Sequence, residues 1–330
     1  MRKLIELGTW GSALALMTVV AVVSVTGTIY YMRTFTKERL FVTTTTSLFD
    51  TGLLDEIEVP FEEKYHIDLS FISVGTGQAI QHARRGDADM ILVHAPSKEF
   101  PFLEDGYGVC RKIIAYNFFA IVGSETDPAK INMSSPTYAL QKIVESGRLG
   151  DAKWVSRGDD SGTHTKEKSL WATAGFNWTS LKEESWFLEA GAGMGKTLLA
   201  AEEFSAYTLA DVGTYLKYYK DGLIGLKDLV TEGEGLLNVY SAIAVNPSLH
   251  KDINFEGTIT FIKFLISEDG QQVIKEYGKK QYGRSLFYPT VKLLKENINP
   301  TLVQWIKNYA FLEGYECPPE YQEGHEELYP

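Results

Sequence analysis

Four short stretches concentrate the residues able to do chemistry: TTTTS at 43–47, VGTGQA at 74–79, SRGDDSGTH at 156–164 and GAGMGKT at 191–197. Each places Gly, Ser and Thr where a strand hands over to a helix. The first turn of a helix carries backbone N–H groups with no intrahelical partner, aligned with the helix dipole, and nearby hydroxyls add donors. Such turns bind anions. Ser and Thr are also ordinary N-caps and Gly an ordinary turn former, so any one of these turns has a purely structural explanation. Four in one chain, one of them carrying Arg157, point to an anion site. The fourth, preceded by Ala190, also matches P-loop spacing, with Gly195, Lys196 and Thr197 in the places of the phosphate-binding Gly-Lys-Thr. A nucleotide site needs an acidic Mg²⁺ partner at the end of a later hydrophobic strand, and TLAD at 208–211 is a poor substitute. An ATPase is therefore not expected.

The elements that must position these turns alternate. LFVTTTTS reads as a strand, GLLDEIEVPFEEKY as a helix, IDLSFISVG as a strand, TGQAIQHARRG as a helix and DADMILVHA as a strand. The pattern returns at AKWVSRGDD followed by SGTHTKEKSLWATAG, and again at SWFLEAGAG with the helix after it. Strand–helix–strand alternation predicts a parallel sheet covered by helices. In an open α/β sheet the turns at the carboxyl ends of the strands gather where ligands bind. The last forty or so residues read as helices ending in an acidic, solvated tail, YECPPEYQEGHEELYP.

Composition narrows the function. The 330 residues, 44% hydrophobic, suffice for one large or two medium domains with a real core. Lys and Arg number 32 against 43 Asp and Glu, a net charge of −11, which argues against a nucleic-acid partner. From Thr9 to Met32 the chain has no charge, is long enough to cross a bilayer, and carries Trp10, Tyr30 and Tyr31 like interfacial anchors. This segment reads as an uncleaved anchor, with a cleaved export signal as the alternative; basic residues on both flanks leave its orientation open. Cys110 and Cys317 form no CxxC pair and could make one disulfide or none; the six histidines share no ligand spacing, so neither a metal-cation site nor a cofactor is expected.

The stretches TTTTSLFDTGLLD, FISVGTGQAI, GDADMILVHA, GYGVCRK, WVSRGDDSGTH, GAGMGKTLLAAEEFSAYTLADVGTYL and NVYSAIAVNP, taken in order, resemble the tungstate-binding proteins of ABC importers, the TupA-like family. The resemblance covers roughly residues 41–250. It implies an α/β fold of the type II periplasmic-binding-protein kind, two α/β lobes joined by two crossing strands with an oxyanion in the cleft between them. It further implies a non-enzymatic, extracytoplasmic protein that captures tungstate, or molybdate, for an ABC permease with its ATPase subunit. A phosphate or sulfate receptor of the same fold, and a ligand-sensing ectodomain, are the alternatives. In the family the fourth turn does not require lysine, so Lys196 reads as local variation that completes a P-loop pattern. Leu48, where the family often has Thr, and Cys110, where a polar residue is expected, depart from the pattern.

On this resemblance Thr46 and Ser47 supply donors from the first lobe, joined by Thr76 and Gly77. Arg157, Ser161, Gly162 and Thr163 come from the second, with Met194 or Gly195 and Tyr207–Thr208 closing the rim. Arg157 could meet the anion or brace the loop through Asp159 or Asp160, and either aspartate could instead be a helix cap or an acceptor that admits phosphate. The hydrophobic segments 115–123 and 239–247 are the expected crossings. They divide the chain into an anchor and linker at 1–39, one lobe of 40–117 plus 244–330, and a second of 118–243. Residues 1–39 carry five basic and two acidic side chains; removing that net +3 from −11 leaves −14 on the body, a poor general attractant for anions. Local donors have to win: charge-assisted hydrogen bonds are worth about 1.5–3 kcal/mol each, whereas surface charges beyond about 8–10 Å are largely screened.

Overall fold

The computed structural model describes residues 38–312 and 316–322, together with residue 24. The expected anchor Thr9–Met32 lies outside these residues except at Ser24, and among the described residues no helix is long and apolar enough to cross a membrane.

The chain opens with β1 (Glu38–Thr45), a short α1 (Thr46–Asp50), α2 (Leu53–Tyr65), β2 (Ile67–Val74), α3 (Thr76–Arg85), β3 (Met90–Val93) and α4 (Pro96–Glu104). A long strand, β4 (Gly108–Gly123), leads to α5 (Pro136–Arg148), β5 (Trp154–Ser156), α6 (Gly162–Thr173), α7 (Trp178–Leu181), β6 (Phe187–Glu189), α8 (Met194–Glu203), β7 (Thr208–Asp211), α9 (Val212–Lys220) and β8 (Lys227–Val230). The return strand β9 (Leu237–Val245) is followed by α10 (Phe255–Ile266), α11 (Glu268–Glu276), α12 (Lys279–Tyr282), β10 (Tyr288–Pro289), α13 (Val291–Glu296) and α14 (Pro300–Ala310).

The strand order is β10-β4-β9-β3-β1-β2, with β7 and β8 pairing onto β4. β1 runs parallel to β2 and β3, as strand–helix alternation demands. The rest of the sheet departs from the all-parallel expectation: β9 is antiparallel to both β3 and β4, and β7, β8 and β10 are antiparallel to β4. The reason lies in β4. Its first part, through Phe118, pairs with β9, and from Phe119 to Gly123 it pairs with β7 and β8, so one strand serves two regions of sheet. A chain that passes out along β4 must return along a neighbouring strand in the opposite direction, and β9 does so, buried along its full length.

Each region has its own core. Leu40, Val42, Phe61, Phe261 and Phe264 fill the first, Ile121, Trp154, Trp171, Phe187 and Leu209 the second. Local sequence explains the helices that matter for the site. In α3 the residues Ala79, Ile80 and Ala83 form the buried stripe, and Gly86, at φ +76°, takes the left-handed cap conformation that glycine adopts without strain. In α6 Ser161 is the N-cap, its hydroxyl accepting from the His164 amide. Leu48 sits in the first core rather than at the turn surface. The sulfurs of Cys110 and Cys317 lie 3.3 Å apart in buried contact, holding the C-terminal segment against β4.

Candidate functional site

The first region contributes two turns. Of the TTTTS run, Thr43 and Thr44 donate their hydroxyls to backbone carbonyls of the adjoining elements, Ala79 and Met90 for the first and Leu92 for the second. Thr45 accepts from the Leu48 amide. The Thr45 hydroxyl also lies 3.3 Å from Ser47 Oγ, and Thr46 and Ser47 reach beyond the run, to Arg157 and His94. Thr76 opens α3, whose N-cap Gly75 offers no side-chain oxygen, so its first-turn amides are not capped by a side chain. The Thr76 hydroxyl is fully buried and has no hydrogen-bond partner. A buried hydroxyl without a partner is costly unless a ligand completes it. Gly77 faces open space, since a methyl group there would meet no atom within 4 Å.

The second region contributes one turn, and Arg157 organises it. The side chain is 1% exposed. Its Nε lies 2.8 Å from Asp159 Oδ2, one terminal nitrogen donates to Thr163 Oγ1 at 3.3 Å, and the other crosses to Thr46 Oγ1 at 3.3 Å. Both hydroxyls therefore accept from the guanidinium, which leaves their own hydrogens to point outward as donors. The two roles that the sequence left open for Arg157 are filled together, because a guanidinium has enough N–H groups to brace Asp159 and reach the hydroxyls at once. Asp159 also accepts from the Ser161 amide, as a cap would. Asp160 is largely exposed, near Lys98 at 3.4 Å and Lys168 at 3.8 Å.

Gly162, the first residue of α6, shows how closely the regions meet. A methyl group on it would stand 3.0 Å from His94 Cε1 and 3.3 Å from both His94 Nε2 and Thr76 Oγ1. Thr46, Ser47, Thr76, Arg157, Gly162 and Thr163 thus converge, with Ser161 as the cap beside them.

The side chains of the remaining predicted residues make their contacts elsewhere. The Tyr207 hydroxyl donates to Asp127 and accepts from the Ala129 amide, and Thr208 donates to the Val155 carbonyl at 2.7 Å. Met194 is buried in a core cluster with Val155 and Leu198. Gly195 is a packing glycine: a methyl group there would stand 1.9 Å from the Tyr218 hydroxyl, so its absence lets α8 lie against α9. Thr197 turns its hydroxyl onto the carbonyls of Ala192 and Gly193 at 3.3 and 3.2 Å. The GAGMGKT segment is a strand-to-helix turn that closes on itself. A separate cleft of about 260 Å³ lies along Tyr116, Asn117, Arg284 and Tyr288 and contains none of the converging donors.

Two buried titratable groups escaped the sequence reading. Glu167, on α6 under the anion turn, accepts from Trp154 Nε1 at 2.8 Å and from the Arg157 amide at 3.2 Å. Burial raises its pKa to about 7, against the lowering effect of those donors. His94, at the end of β3, is 2% exposed, with Nε2 3.0 Å from Ser47 Oγ and Nδ1 2.9 Å from Asn238 Oδ1. Burial lowers its pKa to about 4. Its ring stacks on Tyr240 with centroids 4.9 Å apart. The one hint in the sequence was its position at the carboxyl end of a strand, where the other turns also lie. His164 accepts the Asp160 amide on Nδ1 and packs on Trp178.

Comparison with known proteins gives a consistent result. A family profile described as "PBP superfamily domain" matches residues 32–269. The tungstate-binding protein TupA of Peptoclostridium acidaminophilum is 42% identical over 260 residues, 78% of this chain and 87% of that protein. Among solved structures, the tungstate binding protein TupA from Desulfovibrio alaskensis G20 aligns with a TM-score of 0.67 at 38% identity, covering 76% of this chain and 98% of that one. The tungstate ABC transporter structure from Geobacter sulfurreducens aligns with a TM-score of 0.65 at 40% identity, covering 73% and 99%.

Proposed function

The chain belongs to the PBP superfamily and, within it, to the TupA family, and on that premise we propose that it captures tungstate between two lobes outside the cytoplasm and delivers it to an ABC permease. It is a binding protein, not an enzyme, and hydrolysis of ATP falls to the permease's ATPase subunit. The observation that carries this reading is the reach of Arg157 to Thr163 on its own side and to Thr46 on the other. One buried guanidinium joined to hydroxyls of both regions is an arrangement for holding an anion across a closing cleft.

The lobes are residues 40–117 with 244–330, and 118–243, and the exchange of partners along β4 between Phe118 and Phe119 supports that division. A ligand held by both lobes favours the closed form by its differential affinity, which gives a permease a surface to read. The ligand set is Thr46, Ser47, Thr76, Gly77, Arg157, Ser161, Gly162 and Thr163. Met194, Gly195, Tyr207 and Thr208 support the second lobe from behind. A fully deprotonated dianion has only acceptor oxygens and suits such donors, whereas monohydrogen phosphate brings a proton that needs an acceptor. Molybdate shares the chemistry of tungstate and is the expected second ligand.

A melting scan tests the reading. Tungstate at a hundredfold its dissociation constant adds about 2.7 kcal/mol to the folded state, which for a chain of this size corresponds to a rise of about 4 °C. Phosphate should shift the melting point little. A response to phosphate without one to tungstate would move the protein to the phosphate receptors, and a response to neither would remove the oxyanion reading.

Thr9–Met32 is the anchor in this proposal. Native protein should stay with membranes after a carbonate wash, and its body should be digested by protease added from outside. Recovery of a soluble mature chain beginning near residue 30 would show cleavage instead, and protection of the body in intact cells would defeat export.

A further inference from the structure

A doubly charged oxyanion brings two negative charges to a cleft whose buried guanidinium is already answered. Arg157 is ion-paired with Asp159 at 2.8 Å. Asp50 and Asp211 are also near it; burial raises the pKa of both carboxyls, and Arg157 pulls them back toward the ionised form. A second source of positive charge would add to the hydrogen-bond donors and lower the cost of holding a dianion out of water.

His94 can supply it, as the hydrogen-bond network shows. Asn117 donates its amide nitrogen to the Leu286 carbonyl at 3.3 Å, so its oxygen faces Asn238. Asn238 donates its amide nitrogen to that oxygen at 2.9 Å and to the Tyr240 hydroxyl at 2.7 Å. The Asn238 oxygen therefore faces His94 Nδ1 as an acceptor, and Nδ1 must carry the hydrogen. A neutral imidazole has only one, so Nε2 is bare and, at 3.0 Å, is the nearer acceptor for the Ser47 hydroxyl hydrogen, while Thr45 Oγ1 at 3.3 Å, which already accepts the Leu48 amide, is placed to donate to Ser47 Oγ. In the empty site Ser47 consequently turns its proton away from the ligand. Its oxygen offers the cleft only lone pairs, which an oxyanion cannot use.

We infer that oxyanion binding is coupled to uptake of one proton by His94. A proton from a buffer acid or hydronium bonds to Nε2, the new N–H donates to Ser47 Oγ, and the Ser47 hydroxyl hydrogen rotates to the anion. No electron pair changes owner beyond the new N–H bond. The imidazolium offsets one of the dianion's two charges, in addition to Arg157, which is already paired with Asp159, and Nδ1 keeps its bond to Asn238 throughout. The inference rests on the oxyanion reading above and makes His94 the positioning residue that turns Ser47 into a donor.

The surroundings of His94 fit this role. The Glu99 carboxylate from α4 favours the charged ring, and Arg157 from the second lobe opposes it. Ser47 of α1, Thr76 of α3, Phe119 of β4, Gly162 of α6 and Asn238 and Tyr240 of β9 complete the shell without further charge. Burial keeps the ring neutral in the empty site, at a pKa of about 4. A bound dianion raises that value, so affinity is highest at low pH and falls as pH rises between the empty and bound values.

Isothermal titration of the full chain with tungstate, in buffers of different ionisation enthalpy at pH 6.5, should show close to one proton absorbed per anion. Affinity should fall by about tenfold from pH 6.5 to 7.5, the slope for one linked proton. His94→Gln should remove both the uptake and the pH slope. Glu167→Gln should keep the uptake; if the uptake survives His94→Gln and vanishes in Glu167→Gln, the proton belongs to Glu167 and the inference is overturned. Should His94→Gln fail to fold, the ¹⁵N spectrum of histidine-labelled wild-type protein decides. His94 passing from the Nδ1–H tautomer to the imidazolium on addition of tungstate supports the inference, and an unchanged neutral ring overturns it. Tungstate binding without proton uptake defeats this inference alone, while a folded protein that gives no heat with tungstate removes the oxyanion reading as well.

Discussion

Replacing Arg157 by methionine should weaken tungstate binding at least a hundredfold, a loss of about 2.8 kcal/mol or more. The guanidinium is buried, and its two terminal nitrogens orient the hydroxyls of Thr46 and Thr163. Hydrogen bonds to charged groups are worth about 1.5–3 kcal/mol each, and methionine would also leave Asp159 ionised beside the incoming anion without its 2.8 Å partner. Arg157→Lys should recover only part of the affinity, because one ammonium cannot span two hydroxyls and a carboxylate. Isothermal titration gives the numbers. An Arg157→Met protein that binds within tenfold of wild type would reduce Arg157 to a loop brace.

Trp154→Ala should cost the fold about 3–5 kcal/mol, as large-to-small substitutions of buried aromatic residues do. Trp154 is 1% exposed at the centre of the second core and meets Trp171 edge-on with ring centroids 5.0 Å apart. Its indole N–H is also a donor to the buried Glu167 carboxyl. Without it, that carboxyl keeps the more distant Trp171 donor and the Arg157 amide but loses the main influence that lowers its pKa, so the value rises above the wild-type value of about 7 and the variant should lose more stability than the wild type as pH rises. The sign follows from the raised pKa. Glu167 holds its proton more tightly in the folded chain than in the unfolded one, so its contribution to stability is fully present below the unfolded value of 4.5 and is lost as pH rises through the folded value. Urea unfolding at pH 5 and pH 8 checks both parts. A loss under 1 kcal/mol at either pH would mean that the neighbouring rings close over the gap.

Much of the proposed anion site was legible because it depends on local features. Ser161 caps the helix it was expected to open, and Thr76 begins one whose amides no side chain caps, since capping is decided within three or four residues. The P-loop pattern, already discounted for want of an acidic partner, shows the limit of local spacing. The spacing of Gly195, Lys196 and Thr197 is local, but Gly195 is needed for the approach of Tyr218, a constraint that spacing does not carry. The parallel sheet was read correctly for β1, β2 and β3, which helices connect, and not for β4 and β9, whose pairing joins distant parts of the chain.

The sequence by itself determined the alternation of strands and helices, the donor-rich turns at the strand ends, and the family to which they belong. Only the tertiary structure decided which of those donors face one another and which way their hydrogens point. Thr208 and Tyr207 look as suitable in sequence as Thr46 and Thr163, yet their hydroxyls are consumed by Val155 and Asp127. Ser47 is a donor by type, but its proton is directed by His94, which is set in turn by Asn238 a further 144 residues along the chain. A hydroxyl can donate one hydrogen, and the direction in which it does so is fixed by whichever acceptor the fold brings within 3 Å or so of it. That acceptor is chosen by packing between distant segments, which no local pattern of residues encodes.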